Sequence, residues 1–492
     1  MRNLTFLLVL LAILLFSGVL SFLSLQEGHN WGDDFALYIN QAKALVEGSV
    51  NRCYEENIFA MNNSSYPIGP HVYPWGFPLL LAPFYAIFGL NLTAFKIAGI
   101  IFFLLSLGLI FFLFKNRSSS NAIIIAGIMG FNPYLLSFHD NILSDIPFLF
   151  FTLLSLFLIF KVVIASKREY QHYFWFILTG LIIFFSFYIR SNGIALIFVL
   201  VISQIIEGLK NENGSIKLFI LKLTIPCITF IAMYAIFSAL LPSGDASHLS
   251  FLQKINSDLI RFNTEYYFKE LPKDFFGHFR TLNLYKVTIP FALLGAGLTL
   301  TKDYFLHLFF VITLSIYIIW PETQGLRFIF PIIPVYLYFT FSGISFINHK
   351  IRFYSKYNWL SILTGIILIF IFLNKVTPTI LQKYAGERKV LEGPFELESN
   401  EAFGYLKNNS NKKEIIVFFK PRALNLLISR KSVMMNDFEK IEFINPSYLV
   451  IHKFMGDYNQ VRAYDQRLIA AQWLKPVFEN SHYIIYKNLQ MH

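Results

Sequence analysis

Charge is scarce in this sequence. Asp, Glu, Lys and Arg make up 14% of 492 residues, while apolar types reach 55% and Phe alone occurs 56 times. Most of such a chain cannot be a water-soluble globule. Cysteine is rarer still: Cys53 falls in a predicted external loop and Cys227 inside an apolar run, which excludes a disulfide-stapled fold. No His/Cys cluster has metal-ligand spacing, and neither a repeat of solenoid period nor a low-complexity tract occurs. The net charge of +11 implies no nucleic-acid partner, because the basic residues collect in alternate short loops, as membrane topology alone requires.

What is present is a series of apolar runs. A bilayer takes about 20 residues to cross, and about eleven candidate spans fall between residues 4 and 373 by the hydropathy window. They cover 4–25, 92–114, 122–138, 146–165, 173–189, 193–206, 218–241, 287–300, 304–320, 328–347 and 359–373. The first is too long for a signal-peptide core and has no small-x-small cleavage site, so it reads as a retained anchor. Lys115 and Arg117, Lys167 and Arg168, Lys210, Lys217 and Lys222, Lys302, and Lys350, Arg352 and Lys356 then fall on one side. That side is predicted to be cytoplasmic, together with the N-terminus. The predicted class is a polytopic α-helical membrane protein of residues 1–375, followed by an extracytoplasmic α/β domain of 376–492. In that domain 414–419, 448–452 and 482–487 read as strands and 422–427 and 457–473 as helices. Lys420-Pro421-Arg422 reads as a solvated loop.

The chemistry-bearing residues cluster in the external loops. The first, 26–91, opens with His29-Asn30-Trp31-Gly32-Asp33-Asp34 and continues as an amphipathic surface helix, with Phe35, Tyr38, Ile39, Ala42, Leu45 and Val46 on one face and Gly48 at its stop. A single Asp suffices to cap that helix. The second of the pair needs another explanation. The same loop ends in Tyr73-Pro74-Trp75-Gly76-Phe77-Pro78, a proline-broken apolar stretch better suited to the interface than to spanning. The second loop carries Ser144-Asp145, where Asp145 is either a cap or an acidic group at a span's outer end. Arg190 and Arg327 stand at outer span ends, where the charge bias gives them no topological reason to be. In the long loop 242–286, Phe262, Tyr266, Tyr267, Phe268, Phe275 and Phe276 among basic residues suit a headgroup-level surface.

Asp34, Tyr38 and Ala42 after the first span, then Tyr73-Pro74-Trp75-Gly76-Phe77-Pro78, Ser144-Asp145, Arg190, and Arg327 with Phe328, Pro331 and Pro334, resemble in order and sidedness the GT-C fold glycosyltransferases. Among these the protein O-mannosyltransferases and lipid A aminoarabinose transferases are the most similar. The resemblance extends to about residue 373. It implies transfer of a sugar from a polyprenyl-phosphate carrier to a lipid, glycan or protein hydroxyl of the cell envelope, outside the plasma membrane and with inversion. Asp34 would be the base, with Asp33, Asp145 or Tyr38 orienting it or the acceptor; Arg327 and Arg190 would hold the carrier phosphate, near His71 and Tyr73. The aminoarabinose transferases carry Lys where this chain has Tyr73, a departure that counts against their sugar. No cofactor is implied, although some enzymes of that fold use a divalent ion. A transporter or flippase of a lipid-linked or anionic solute is the competing class. It calls for charges deep inside spans and for inverted repeats, and neither is evident.

Overall fold

The computed structural model describes residues 2–66, 68–164, 173–210, 215–244, 255–270, 275–276, 278–279, 282–321, 323, 325–351, 358–384, 390–456, 459–463 and 465–490. Lys167, Arg168, Arg352 and Lys356 of the topology assignment, Lys254, Lys273 and Arg280 among the basic residues of the loop 242–286, and Asp457, Tyr458 and Tyr464 of the predicted helix 457–473 lie outside the described residues.

Among the described residues, six helices are long and apolar enough to cross a bilayer: Leu4–Ser24, Leu92–Phe114, Asp145–Val162, Ser191–Lys210, Ile216–Leu240 and Trp359–Val376. Shorter apolar helices pack among them, including Tyr173–Ile189, Leu284–Thr299 and Tyr304–Ile319, and Ile333–Ile351 runs along Leu284–Thr299. Leu8, Phe16, Ile228, Leu240 and Phe370 stand exposed on outward faces. In water they would form large sticky patches, whereas hydrocarbon solvates them. The protein is a multi-pass membrane protein.

Lipid tails are as apolar as Leu, so burial alone cannot choose how these helices meet; shape and polar clamps must. Ser17 Oγ donates to the Gly130 carbonyl at 2.8 Å, and Asn121 Nδ2 reaches Ser345 Oγ at 2.9 Å. Asn132 Nδ2 donates to the Phe275 carbonyl at 2.9 Å. Asn132 also corrects one predicted span, because 122–138 is not continuous. Its side chain caps a new helix, Pro133–Phe138, by accepting from the Tyr134 and Leu135 N–H groups. Pro133 has no N–H with which to extend the preceding helix Ser119–Gly130.

The aromatic loop 242–286 also departs from expectation. Tyr267, Phe275 and Phe276 are buried in the main core rather than spread at headgroup level, while Phe262 and Phe268 are exposed.

The C-terminal domain is a five-stranded mixed sheet, with strands in the order Lys431–Val433, Ile415–Val417, Tyr448–His452, Tyr483–Asn488, Leu474–Glu479. The first three run parallel and the last two pair antiparallel. Phe418, Val450 and Ile485 form part of one packed face, and Val417, Leu449 and Ile484 part of the other. The predicted helix 457–473 is reduced to Gln466–Ala470 among the described residues. The chain then turns into the unforeseen edge strand Leu474–Glu479, whose bulge between Pro476 and Phe478 fits a residue that cannot donate to the ladder.

Candidate active site

The helix Asp34–Glu47 departs from the expected surface helix: Ala36, Leu37, Gln41 and Ala44 are buried along with Phe35, Tyr38, Ile39 and Ala42, while Val46 is 44% exposed, so neighbouring elements enclose it on more than one face. Gly48 ends it in the left-handed conformation at φ 67°. Asp33 occupies the N-cap position but makes no side-chain capping bond, so capping does not explain the acidic pair. Asp34, in the first turn, keeps its side chain 38% exposed, and the positive end of the helix favours its charge.

Tyr73 reaches Asp34 because Gln41 places it. The buried Gln41 amide brackets the Tyr73 backbone, donating to its carbonyl at 2.9 Å and accepting from its N–H at 3.1 Å. The Tyr73 hydroxyl then donates to Asp34 Oδ1 at 2.6 Å. Burial and the Asp34 charge both raise the phenol's pKa, so it remains a donor. Tyr38 stacks on Tyr73 with centroids 4.4 Å apart and shares a hydrogen bond with Ser144 Oγ at 3.1 Å. Gly76 permits the turn that follows: a Cβ there would lie 2.5 Å from the Tyr188 carbonyl. The helix Gly76–Phe88 therefore starts against the end of Tyr173–Ile189, next to Arg190. At 13 residues it is about 20 Å long, short of the bilayer core.

On the other side of Asp34, a single turn of 3-10 helix, Leu326–Ile329, carries Arg327. Its Nη1 lies 3.9 Å from Asp34 Oδ2. Both side chains are partly exposed, so the contact adds little stability. Arg327 also lines an open cleft of about 590 Å³ with Ser137, Asn141, Leu143 and Thr323.

Arg190 and Asp145 are brought together, but with each other. They form a close ion pair in which the Asp145 side chain is 1% exposed, and the Arg190 guanidinium lies over the Phe328 ring at 4.6 Å. The neighbour of Arg327 thus rests on a neutralised pair. His71 is turned toward the helix Val50–Asn63, with its ring edge-on to Tyr54 at 6.4 Å and its carbonyl accepting from Asn57 Nδ2.

Four residues that hold this arrangement carried no role in the sequence reading. His29, 2% exposed, stacks on Phe35 at 3.8 Å, and its Nε2 accepts from the Ile142 N–H at 3.2 Å, joining the first loop to the second. Burial lowers its pKa to about 4. Lys96 Nζ donates to the carbonyls of Gln26 and Gly28, each at 2.8 Å, and to Asp140 Oδ1 at 3.2 Å. The other two, Lys420 and Arg422, overturn the solvated-loop reading. Arg422, 3% exposed, donates through Nε to Asn57 Oδ1 at 2.9 Å and through Nη2 to the Pro70 carbonyl at 2.7 Å, below the Tyr73 ring. Burial raises the Asp33 pKa, and the charges of Arg422 and Lys420 only partly oppose it. The domain reaches this position through its helix Pro421–Ile428, whose Ala423 and Leu426 share a core with Phe35 and Tyr38. Their contacts come from residues hundreds of positions away, which local composition cannot signal.

The sequence pattern of the family described as dolichyl-phosphate-mannose-protein mannosyltransferase matches residues 53–243. Among solved structures, ArnT from Cupriavidus metallidurans bound to undecaprenyl phosphate superposes with a TM-score of 0.60 at 12% identity, over 99% of this chain and 98% of that one. The chain has the GT-C glycosyltransferase fold. The archaeal oligosaccharyltransferase AglB from Archaeoglobus fulgidus, in complex with an inhibitory peptide and a dolichol-phosphate, gives 0.54 at 11% identity over 90% and 69%. The same enzyme with Zn and sulfate gives 0.55 at 12% over 89% and 68%. No curated protein sequence matches. The family match over residues 53–243 lies within this fold, and the two agree on the glycosyltransferase class.

Proposed function

We propose that the protein transfers a sugar from a polyprenyl-phosphate carrier to a hydroxyl of a lipid, glycan or protein outside the cytoplasm. The observation that carries this reading is the partly exposed Asp34 carboxylate, with Tyr73 on one oxygen and the Arg327 guanidinium 3.9 Å from the other. A base and a cation side by side suit a displacement that takes a proton at one end and releases a phosphate at the other. The polyprenyl phosphates bound by ArnT and AglB point to the same donor class.

Asp34 Oδ2 accepts the acceptor's hydroxyl proton as that oxygen attacks the sugar's anomeric carbon. The bond from that carbon to the phosphate oxygen breaks, and its electron pair leaves on the polyprenyl phosphate. Arg327 holds the departing phosphate, whose charge grows as the bond lengthens. One displacement inverts the anomeric centre. Asp33, beside Lys420 and Arg422, and Asp145, tied to Arg190, position the loops.

The test is a reconstituted assay with polyprenyl-phosphate sugars, following release of polyprenyl phosphate alongside mass spectrometry of cell-envelope glycans with and without the gene. Asp34→Asn should cost about a hundredfold or more in rate while carrier binding persists. Near-native turnover by that variant sinks the assignment.

A further inference from the structure

We infer that the C-terminal domain binds a divalent transition-metal ion, of the zinc class, through Glu396, His452 and His482. The three come from separate elements. Glu396 is the N-cap residue of the helix Leu397–Asn409, His452 ends the central strand Tyr448–His452, and His482 lies in the turn before the strand Tyr483–Asn488. The site does not depend on the transfer reaction proposed above, and its ligands are remote in sequence from Asp34 and Arg327.

One ligand atom from each residue lies within 4.8 Å of the others. Glu396 Oε1 is 3.4 Å from His482 Nδ1. Zinc bonds of ~2.1 Å at the tetrahedral angle leave neighbouring ligand atoms roughly 3.4 Å apart. That pair already stands at ligand spacing, and an atom of the third residue lies within 4.8 Å of both, within reach of a side-chain rotation. Two His and one carboxylate match a three-ligand zinc set with a fourth position open. Glu398 Oε2, 3.9 Å from His482 Nδ1, stands close enough to fill it.

The second observation is that a buried imidazole nitrogen here, His452 Nε2, has no hydrogen-bond partner, while His482 Nδ1 has only the two carboxylates at 3.4 and 3.9 Å beside it. His452 is 2% exposed. A buried imidazole nitrogen left without a partner costs stability unless something takes it up. Aromatic neighbours set the His452 ring, with Tyr483 edge-on at 4.9 Å and Phe419 at 5.7 Å. Glu396 is oriented by Ser399 Oγ, which donates to its Oε1 at 3.2 Å and in turn meets the Tyr483 hydroxyl at 2.8 Å. An outer layer that fixes ligand direction is what a metal site requires. His452 Nδ1 accepts from the Phe454 N–H at 3.2 Å. Binding through Nε2 moves the ring proton to Nδ1 and gives up that one long bond.

A cation here ties a helix start, a central strand and a turn into one unit. It also stiffens the face on which the first loop leans, because the Trp31 ring meets His452 edge-on at 6.4 Å.

The test uses the full chain, free of any His tag, purified in detergent, stripped with chelator and exposed to Zn²⁺ alone. After desalting, elemental analysis should find about one zinc per chain. Glu396→Gln and His482→Gln should each lower that stoichiometry severalfold, and zinc should raise the thermal midpoint of the parent protein but not of either variant. Co²⁺ in place of zinc should give the intense visible bands of a four-coordinate site. Absence of retained zinc in the parent, or equal retention by both variants, overturns the proposal. If His452→Gln fails to fold, the two rim variants and the cobalt spectrum still decide it.

Discussion

The Tyr73 hydroxyl donates to Asp34 Oδ1 at 2.6 Å, and the Tyr73 backbone is itself held by Gln41 one helix away. The carboxylate's second oxygen is thereby aimed at the side where Arg327 stands. Tyr73→Phe should slow turnover on the order of tenfold by loosening that aim, less than Asp34→Asn, which removes the base. Single-turnover transfer measured on both variants checks the order. Equal losses would mean that Tyr73 does more than orient.

Asp33→Asn should leave activity closer to the parent and raise thermal stability at neutral pH. Burial lifts the Asp33 pKa above its unfolded value. Its favourable contribution is therefore complete below about pH 4 and lost as pH rises through the folded value. A neutral amide escapes the loss. Melting curves of the two proteins should separate at neutral pH and converge in acid; a lower midpoint for Asp33→Asn at neutral pH contradicts this.

His29 titrates in the opposite sense. Its folded pKa is about 4 and its unfolded value 6.5, so between those values the unfolded chain binds the extra proton. The junction of the first two loops should weaken as pH drops from 6.5 toward 4 and change no further below. His29→Gln, which keeps an acceptor for the Ile142 N–H, should flatten that dependence. Limited proteolysis of the 26–33 segment across pH is a direct readout.

The two outer arginines should fail differently. Arg327→Lys keeps the charge and loses the planar fork, so the transfer rate should fall more than carrier binding does. Arg190→Ala strands the buried Asp145 carboxylate, and breaking such a pair costs roughly 3–5 kcal/mol. Loss of folded yield should therefore dominate that variant, with Asp145→Asn added to it restoring part of the yield. A transporter's anion site would instead lose binding and flux together on Arg327→Lys.

Topology offers a separate check. Cysteine introduced at Ser49 or Asn411 should be labelled from outside intact cells if, as the charge bias predicts, the basic loops face the cytoplasm. Labelling of Asn411→Cys only after permeabilisation reverses the orientation.

The membrane class, the existence of a helix from Asp34 and the central strand Tyr448–His452 were legible in the sequence because each rests on local periodicity; the enclosure of that helix was not, because it depends on elements distant in the chain. The Asp34–Arg327 approach could be suspected from shared sidedness alone. The Arg190–Asp145 pair could not, since nothing in either loop says that two charges will cancel each other rather than face the cleft. Arg422 read as solvent-exposed because charged residues beside a proline usually are. Its burial depends on Asn57 and the Pro70 carbonyl, acceptors that only the folded first loop brings into place. Glu396, His452 and His482 have no local spacing that groups them, for the same reason: only the folded sheet brings one ligand atom of each within 4.8 Å of the others.

The contacts of Arg422 also impose an order on biogenesis. Its partners Asn57 and Pro70 leave the ribosome 365 and 352 residues before it does. Every later span must be inserted before that guanidinium can arrive. Until then Asn57 and the Pro70 carbonyl lack their partner, and the segment that presents Tyr73 lacks its support. A nascent chain halted before residue 421 therefore holds both arginines and both aspartates but an unfinished centre.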